Sequence, residues 1–271
     1  MATIVFVPGA WIAPAFYQPF LEALTKVGYP VRSAGYPSLD PADPASADCK
    51  ADSDAIASVI RPLVEDEGRD VLLVMHSYAG MPGAAAAKGL GKTERIQQGK
   101  SGGIVGMVFI AAFLVPEGLS CAGLQGGSLP PWILLDKVQP LFPTAWPYDR
   151  VNFPDDPVGN FAADVDQEVA QNLAGYIRPH STLAFNSPQP APAWADQACA
   201  GRLAFIVPTL DKAVPEGAQR AMIAATQKDW IVEEMVCSHC APFLNRIDEC
   251  VRLLQGFLGV FEGMKNRVFH R

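Results

Sequence analysis

The chain has 271 residues, of which 49% are hydrophobic and 18% charged, with a formal net charge of −7. That much apolar material can build a large core, which excludes disorder as the main state. The acidic balance excludes a polyanionic nucleic-acid partner and an anionic membrane surface, because both draw their binding energy from Lys and Arg.

In chain order, Ile4 to Val7 is a short β-branched run ending at Pro8-Gly9 and predicts a buried strand. Phe16 to Val27 places Phe16, Phe20, Leu21 and Leu24 at helical spacing and stops at Gly28. Pro30 to Ala34 predicts a second strand, and the Pro-, Asp- and Ser-rich stretch from Tyr36 to Asp48 a loop. Asp52 to Glu67 predicts a helix with Ile56, Val59, Ile60 and Leu63 on one face, and Val71 to Met75 a strand. Ala79 to Leu90 is an Ala-rich helix whose Pro82 falls in the first turn, where a missing N–H does no harm. Lys92 to Gly103 is polar and glycine-containing and predicts a surface loop. Ile104 to Phe113 and Leu203 to Val207 predict strands, Val214 to Thr226 a helix, Trp230 to Val236 a last strand, and Ile247 to Phe261 a closing amphipathic helix.

This alternation predicts an α/β fold with a mostly parallel, doubly wound sheet and helices on both faces. From about Leu114 to Ala195 the pattern breaks. That stretch is rich in proline, carries Trp132, Trp146 and Trp194, and shows no strong strand. The expected organisation is therefore a core of residues 1–113 and 196–271 with an inserted cap, 114–195.

The longest apolar run, Ile104 to Val115, is shorter than the ~20 residues a membrane span needs, so no membrane contact is expected. The N-terminal residues lack a basic n-region and a small-residue cleavage site. The six cysteines are sparse and irregularly spaced, so they are expected to be reduced thiols in a cytoplasmic protein. Cys237 and Cys240 form a C-x-x-C, but no second pair at zinc-site spacing exists, and no metal is expected.

The chemistry concentrates in Val71-Leu-Leu-Val-Met-His-Ser-Tyr-Ala-Gly80, where a hydrophobic strand runs into a serine and then a helix. This is the context of a nucleophile elbow, a tight turn that needs small neighbours around the serine. A serine nucleophile needs a base, and there are four histidines. His76 precedes the serine, so its side chain points away. His180 follows Arg178-Pro179 in the expected cap, and His270 lies in the terminal tail. His239, in Cys-Ser-His-Cys-Ala-Pro-Phe, lies between the last strand and the last helix, the place that the fold resemblance given below implies for the base. Asp211, directly after the strand Leu203–Val207, is the expected third member, with Asp229 and Asp248 in weaker contexts.

With these motifs the chain resembles the α/β-hydrolase superfamily. Within it, the chain is similar to the small esterases, lactonases and hydroxynitrile lyases that share a G-H-S-x-G-G elbow, especially fungal and bacterial members beginning V-F-V-P-G-A-W. The likeness covers nearly the whole chain. It departs at Met75 and Ala79, which stand where the family has glycine, while Gly80 is kept. The His239 segment resembles the family's G-H-S-P-F, and Gln219 and Met222 match residues that follow the family's aspartate. The order Ser77, Asp211, His239 is the order of this fold. The resemblance places the oxyanion donors on the backbone N–H groups of Ala10 and Tyr78, with Gly9 allowing the tight turn.

The resulting expectation is a serine hydrolase of a carboxylic ester or lactone that requires no cofactor. Trp11, Phe113, Trp132 and Trp146 are candidate lining residues for a bulky apolar or aromatic, polyketide-like substrate. Two alternatives stay open: a lyase or cyclase using the same residues for proton transfer, and a binding protein whose elbow is degenerate at Met75. Relatives of this fold often form homodimers, although no residue here proves one.

Overall fold

The computed structural model describes residues 1–135 and 151–263. The N-terminal half supplies β1 (Thr3–Val7), α1 (Gln18–Lys26), β2 (Val31–Ser33), α2 (Cys49–Arg61), β3 (Asp70–His76), α3 (Gly80–Ala86), α4 (Lys92–Gln97) and β4 (Gly103–Ile110). Between β4 and the next core strand lie α5 (Cys121–Leu124), β5 (Ile133–Leu135), β6 (Val151–Pro154), α6 (Pro157–Phe161), α7 (Gln167–Ala174), β7 (His180–Ser181) and α8 (Thr182–Asn186). The chain closes with β8 (Leu203–Pro208), α9 (Glu216–Ala225), β9 (Ile231–Met235) and α10 (Ile247–Gly263).

The doubly wound sheet expected from the alternation is present. Six parallel strands lie in the order β2-β1-β3-β4-β8-β9. The four inner strands read as continuous apolar runs because both of their faces are covered, and every residue of β1, β4 and β8 is buried. Helix α1 packs on α10, and α2 packs on α3. The register aligns the carboxyl ends of the strands. Val7 pairs with Met75, His76 with Ile110, Ile110 with Ile206, and Pro208 with Met235. The loops that leave β1, β3, β8 and β9 therefore open along one edge, where ligand sites form in such sheets.

Two expectations are corrected. Lys92–Gln97 is a helix, not a loop. It has no apolar stripe to announce it. Instead Arg95 is buried and its guanidinium donates to the carbonyls of Gly102, Val64 and Ser101. The segment after β4 also contains strands. β5, β6 and β7 form a three-stranded antiparallel sheet. Each is only two to four residues long, so cross-strand pairing defines them and no local periodicity does. A smaller adjustment concerns the second helix. It begins at Cys49 with Asp48 as its N-cap, the Asp48 carboxylate accepting from Ala51 N–H at 2.7 Å. It continues past Pro62 as a wider π-type turn, Pro62–Asp66, which accommodates the missing proline N–H.

Candidate active site

Ser77 sits between β3 and a 3-10 turn, Ser77–Ala79, that feeds α3. Its φ is +56°, a left-handed backbone uncommon for a residue with a side chain and found where surrounding structure enforces it. The surroundings do enforce it. The Ser77 carbonyl accepts from Phe113 N–H at 3.1 Å. A Cβ on Gly80 would stand 2.4 Å from the Phe113 carbonyl oxygen, and one on Gly9 would stand 2.7 Å from His76 Nδ1 and 3.1 Å from Ser77 Cβ. The strand–turn–helix therefore closes only with glycine at both places. Met75, the large residue at the first small position, lies fully buried. Its sulfur occupies space opened by Gly83 in α3, where a Cβ would come within 2.6 Å of Sδ.

Asp211 and His239 leave the ends of the neighbouring strands β8 and β9. His239 Nδ1 lies 2.7 Å from Asp211 Oδ2, and both residues are buried. Asp211 Oδ1 accepts from the N–H groups of Ala213 (2.8 Å) and Val214 (2.9 Å), and Gln219 Nε2 approaches Oδ2 at 3.3 Å. These bonds fix the carboxylate so that Oδ2 faces the imidazole, an arrangement that suits a proton on Nδ1 and a free lone pair on Nε2. The other histidines have other partners. His76 Nδ1 lies 2.8 Å from the Tyr17 hydroxyl, and His180 Nε2 lies 3.0 Å from Ser38 Oγ. His270 lies outside the described residues.

Ser77, Ala10 and Tyr78 line one pocket. Trp11, Phe113 and Trp132 line it, together with Phe161 and Phe185. Trp146 lies outside the described residues. The aromatic wall is continuous. Trp11 stacks on Phe161 with centroids 6.0 Å apart, and Trp132 meets both edge-on at 5.6 and 5.9 Å. Periodicity could not single out Phe161 or Phe185, since each lies in a five-residue helix.

The loop after β1 is held from below and from above. Gly9 N–H donates to Tyr17 Oη at 3.1 Å, and the Tyr17 proton is then directed at His76 Nδ1. Burial raises the Tyr17 phenol well above its ordinary range, so it stays a donor. Burial, with His239 beside it, holds His76 well below the usual imidazole value. Trp11 has φ +63°, a conformation costing on the order of 1–3 kcal/mol for a side-chain-bearing residue. Its Nε1–H donates to Asn152 Oδ1 at 2.7 Å and to the Asn152 carbonyl at 3.2 Å.

A second network lies under Tyr78. Its hydroxyl donates to Asp52 Oδ2 at 2.7 Å, Ser38 Oγ lies 2.5 Å from the same oxygen, and Ser38 N–H donates to Asp52 Oδ1 at 2.9 Å. Ser38 also reaches His180 Nε2, and His180 Nδ1 faces the Ser181 carbonyl at 3.1 Å. Burial pushes the Asp52 carboxyl up to about 6 and pulls His180 down to about 3. Sequence reasoning gave no role to Asp52 or Ser38, because buried polar pairs leave no periodic trace.

Among the described residues no cluster of three or more His, Cys, Asp or Glu side chains is arranged to hold a metal ion, and no helix is long and apolar enough to cross a membrane. All six cysteines are buried and none is in a disulfide. Burial raises Cys237 to about 12 and holds Cys240 well above the ordinary thiol value, so neither is a ready thiolate.

Comparison with known proteins agrees with this architecture. A family model described as the alpha/beta hydrolase family matches residues 4–253. A curated relative, alpha/beta hydrolase nvfD of Aspergillus novofumigatus (strain IBT 16806), is 35% identical over 120 residues. That match takes in 44% of this chain and 46% of the relative, so the chain spans just under half the length of the curated relative it matches. Among solved structures, a methylesterase, MES16, from Arabidopsis superposes with a TM-score of 0.71 at 16% identity, covering 96% of this chain and 99% of that one. A pyrethroid hydrolase from Sphingobium faniae JZ-2 gives 0.66 at 18% identity, covering 94% and 96%. Tomato methylketone synthase I gives 0.71 at 14% identity, covering 96% and 99%. At these identities the likeness is one of fold.

Proposed function

The chain belongs to the alpha/beta hydrolase family, and within it we propose a serine hydrolase that cleaves a carboxylic ester or lactone without a cofactor. The observation that carries this reading is the convergence at the strand ends. Ser77, in its left-handed turn, shares a pocket with Ala10 and Tyr78, and the His239–Asp211 pair lies just past the ends of β8 and β9.

In this reading Ser77 Oγ attacks the substrate carbonyl while His239 Nε2 takes the hydroxyl proton. The Asp211 carboxylate accepts Nδ1–H and stabilises the imidazolium that forms. The N–H groups of Ala10 and Tyr78 donate to the tetrahedral oxyanion. His239 returns the proton to the departing alkoxide, leaving an acyl-serine. Water, losing a proton to the same histidine, then attacks the acyl-serine, and the acid departs as Ser77 regains its hydrogen. The wall of Trp11, Trp132, Phe161 and Phe185 supports a bulky apolar or aromatic, polyketide-like substrate. Residues 114–195 act as a cap over a core of 1–113 and 196–271. A lyase or cyclase would use the same residues to move protons with no acyl-enzyme.

The test is fluorophosphonate labelling of the whole protein with peptide mapping, beside hydrolysis of a 4-nitrophenyl ester with a pre-steady-state burst. An adduct on Ser77 and a burst, both lost in His239→Ala, are expected. A folded protein that neither labels nor hydrolyses overturns the hydrolase reading. Labelling with no burst and no hydrolysis favours proton-transfer chemistry.

A further inference from the structure

The strained residue Trp11 follows Ala10 directly, and its conformation is enforced by the segment between β4 and β8. Its indole N–H ends on Asn152 of β6, and its carbonyl accepts from Arg178 N–H at 2.7 Å. Next to it, Ala13 N–H donates to the Tyr176 carbonyl at 2.9 Å. The ring is packed by Phe161, Trp132 and Phe185, which belong to the same segment. Asn152 is fully buried and is itself anchored, its Nδ2 donating to Thr182 Oγ1 at 3.1 Å. It does not line the pocket.

We propose that Asn152 is a positioning residue for the oxyanion hole, acting through the Trp11 indole to hold the Gly9–Ala10–Trp11 backbone in its donating geometry. The proposal rests on the hydrolase reading. A left-handed tryptophan relaxes unless its surroundings fix it, and the shortest polar contact on its side chain is the one to Asn152 Oδ1. Relaxation at Trp11 rotates the Ala10–Trp11 peptide, and the displacement passes through the Ala10 Cα to the Gly9–Ala10 peptide, whose N–H then moves off the oxyanion. A donor misplaced by about 1 Å loses its effect on the transition state while ground-state contacts in the aromatic pocket persist. The loss therefore falls on kcat and spares KM.

The experiment compares the full chain with Asn152→Ala, Asn152→Asp and Thr182→Val, using a 4-nitrophenyl ester and the rate of fluorophosphonate inactivation, with active sites counted by the burst. In N152A, kcat per active site and the inactivation rate are expected to fall on the order of 10- to 100-fold, with KM within about two-fold. N152D keeps an acceptor facing the indole and is expected to recover most of the loss. T182V, which leaves the amide in place and frees one of its anchors, is expected to lose a smaller part of kcat and carries the test if N152A does not fold. Should N152A and T182V melt at lower temperature yet keep wild-type kcat and inactivation rate per active site, the residue is structural and the proposal is overturned. A wild-type protein inert to both probes overturns the hydrolase reading itself, an outcome separate from unchanged variants of an active parent.

Discussion

The side chain of Met75 and the missing side chain of Gly83 share one volume. A Cβ on Gly83 would meet Met75 Sδ at 2.6 Å and Cγ at 2.8 Å, inside a fully buried contact between β3 and α3. The large residue at the elbow's first small position is therefore balanced six residues beyond the serine, in α3. The serine keeps its left-handed turn without distortion from Met75.

Gly83→Ala is expected to destabilise the fold by about 1–3 kcal/mol through overpacking. Adding Met75→Ala to it is expected to be better tolerated than the sum of the two single changes, with a coupling above about 0.5 kcal/mol. Urea unfolding of the four proteins measures this, and strict additivity would show that the two residues do not share space.

Asp211→Asn is expected to lower kcat by roughly 10⁴-fold with the fold intact. The N–H groups of Ala213 and Val214 require an oxygen at the Oδ1 position, so the new amide nitrogen must face His239. It then donates to Nδ1, places the imidazole proton on Nε2, and leaves no base for Ser77. Ester hydrolysis by a variant with wild-type circular dichroism checks this, and a loss under ten-fold would point to a different acid partner.

The network under Tyr78 has one proton too few for its contacts if Asp52 is ionised and His180 neutral. Ser38 has a single hydroxyl hydrogen facing two acceptors, Asp52 Oδ2 and His180 Nε2, while His180 Nδ1–H is directed at Ser181. A protonated Asp52 resolves the shortage, in line with a carboxyl raised to about 6. Because the folded value lies above the unfolded one, Asp52 contributes stability that is full below about pH 4 and lost as pH rises through about 6. His180, lowered to about 3, contributes in the opposite sense: full stability above about pH 6.5, lost as pH falls toward 3. Asp52→Asn removes only the first contribution. The variant is expected to gain on its parent by roughly 3 kcal/mol between pH 4 and pH 8. Urea midpoints across that range decide it, and a difference independent of pH would mean that Asp52 is ionised throughout.

Tyr17→Phe is expected to cost about 1–3 kcal/mol, because the buried Gly9 N–H and His76 Nδ1 lose their shared partner. Thermal melts show this directly. An unchanged melting temperature would indicate that another group replaces the hydroxyl.

The strands that build the sheet were legible because burial on both faces makes them unbroken apolar runs, as in Val71 to Met75. The placement of Ser77, Asp211 and His239 just past strand ends was legible because an apolar run stops shortly before each of them. Asn152, Asp52 and Ser38 were not. Their importance comes from partners more than a dozen residues away, and a buried polar side chain looks locally like any loop residue. The helix around Arg95 escaped because no apolar stripe marks it and its buried guanidinium is held by carbonyls outside the helix, those of Val64, Ser101 and Gly102.

Several bonds around the site span about half of the chain. Ser38 meets His180 across 142 residues, Trp11 meets Asn152 across 141, and Cys49 N–H meets Ser187 across 138. During synthesis Ser77 and the Gly9–Ala10 loop emerge early, but their partners follow only with the second half of the chain. Such long-range closures are slow to form. Ser77 therefore spends the growth of the polypeptide apart from His239 and beside a Gly9–Ala10 loop whose neighbour Trp11 has not yet met Asn152, and the pocket is assembled only when the chain is almost complete.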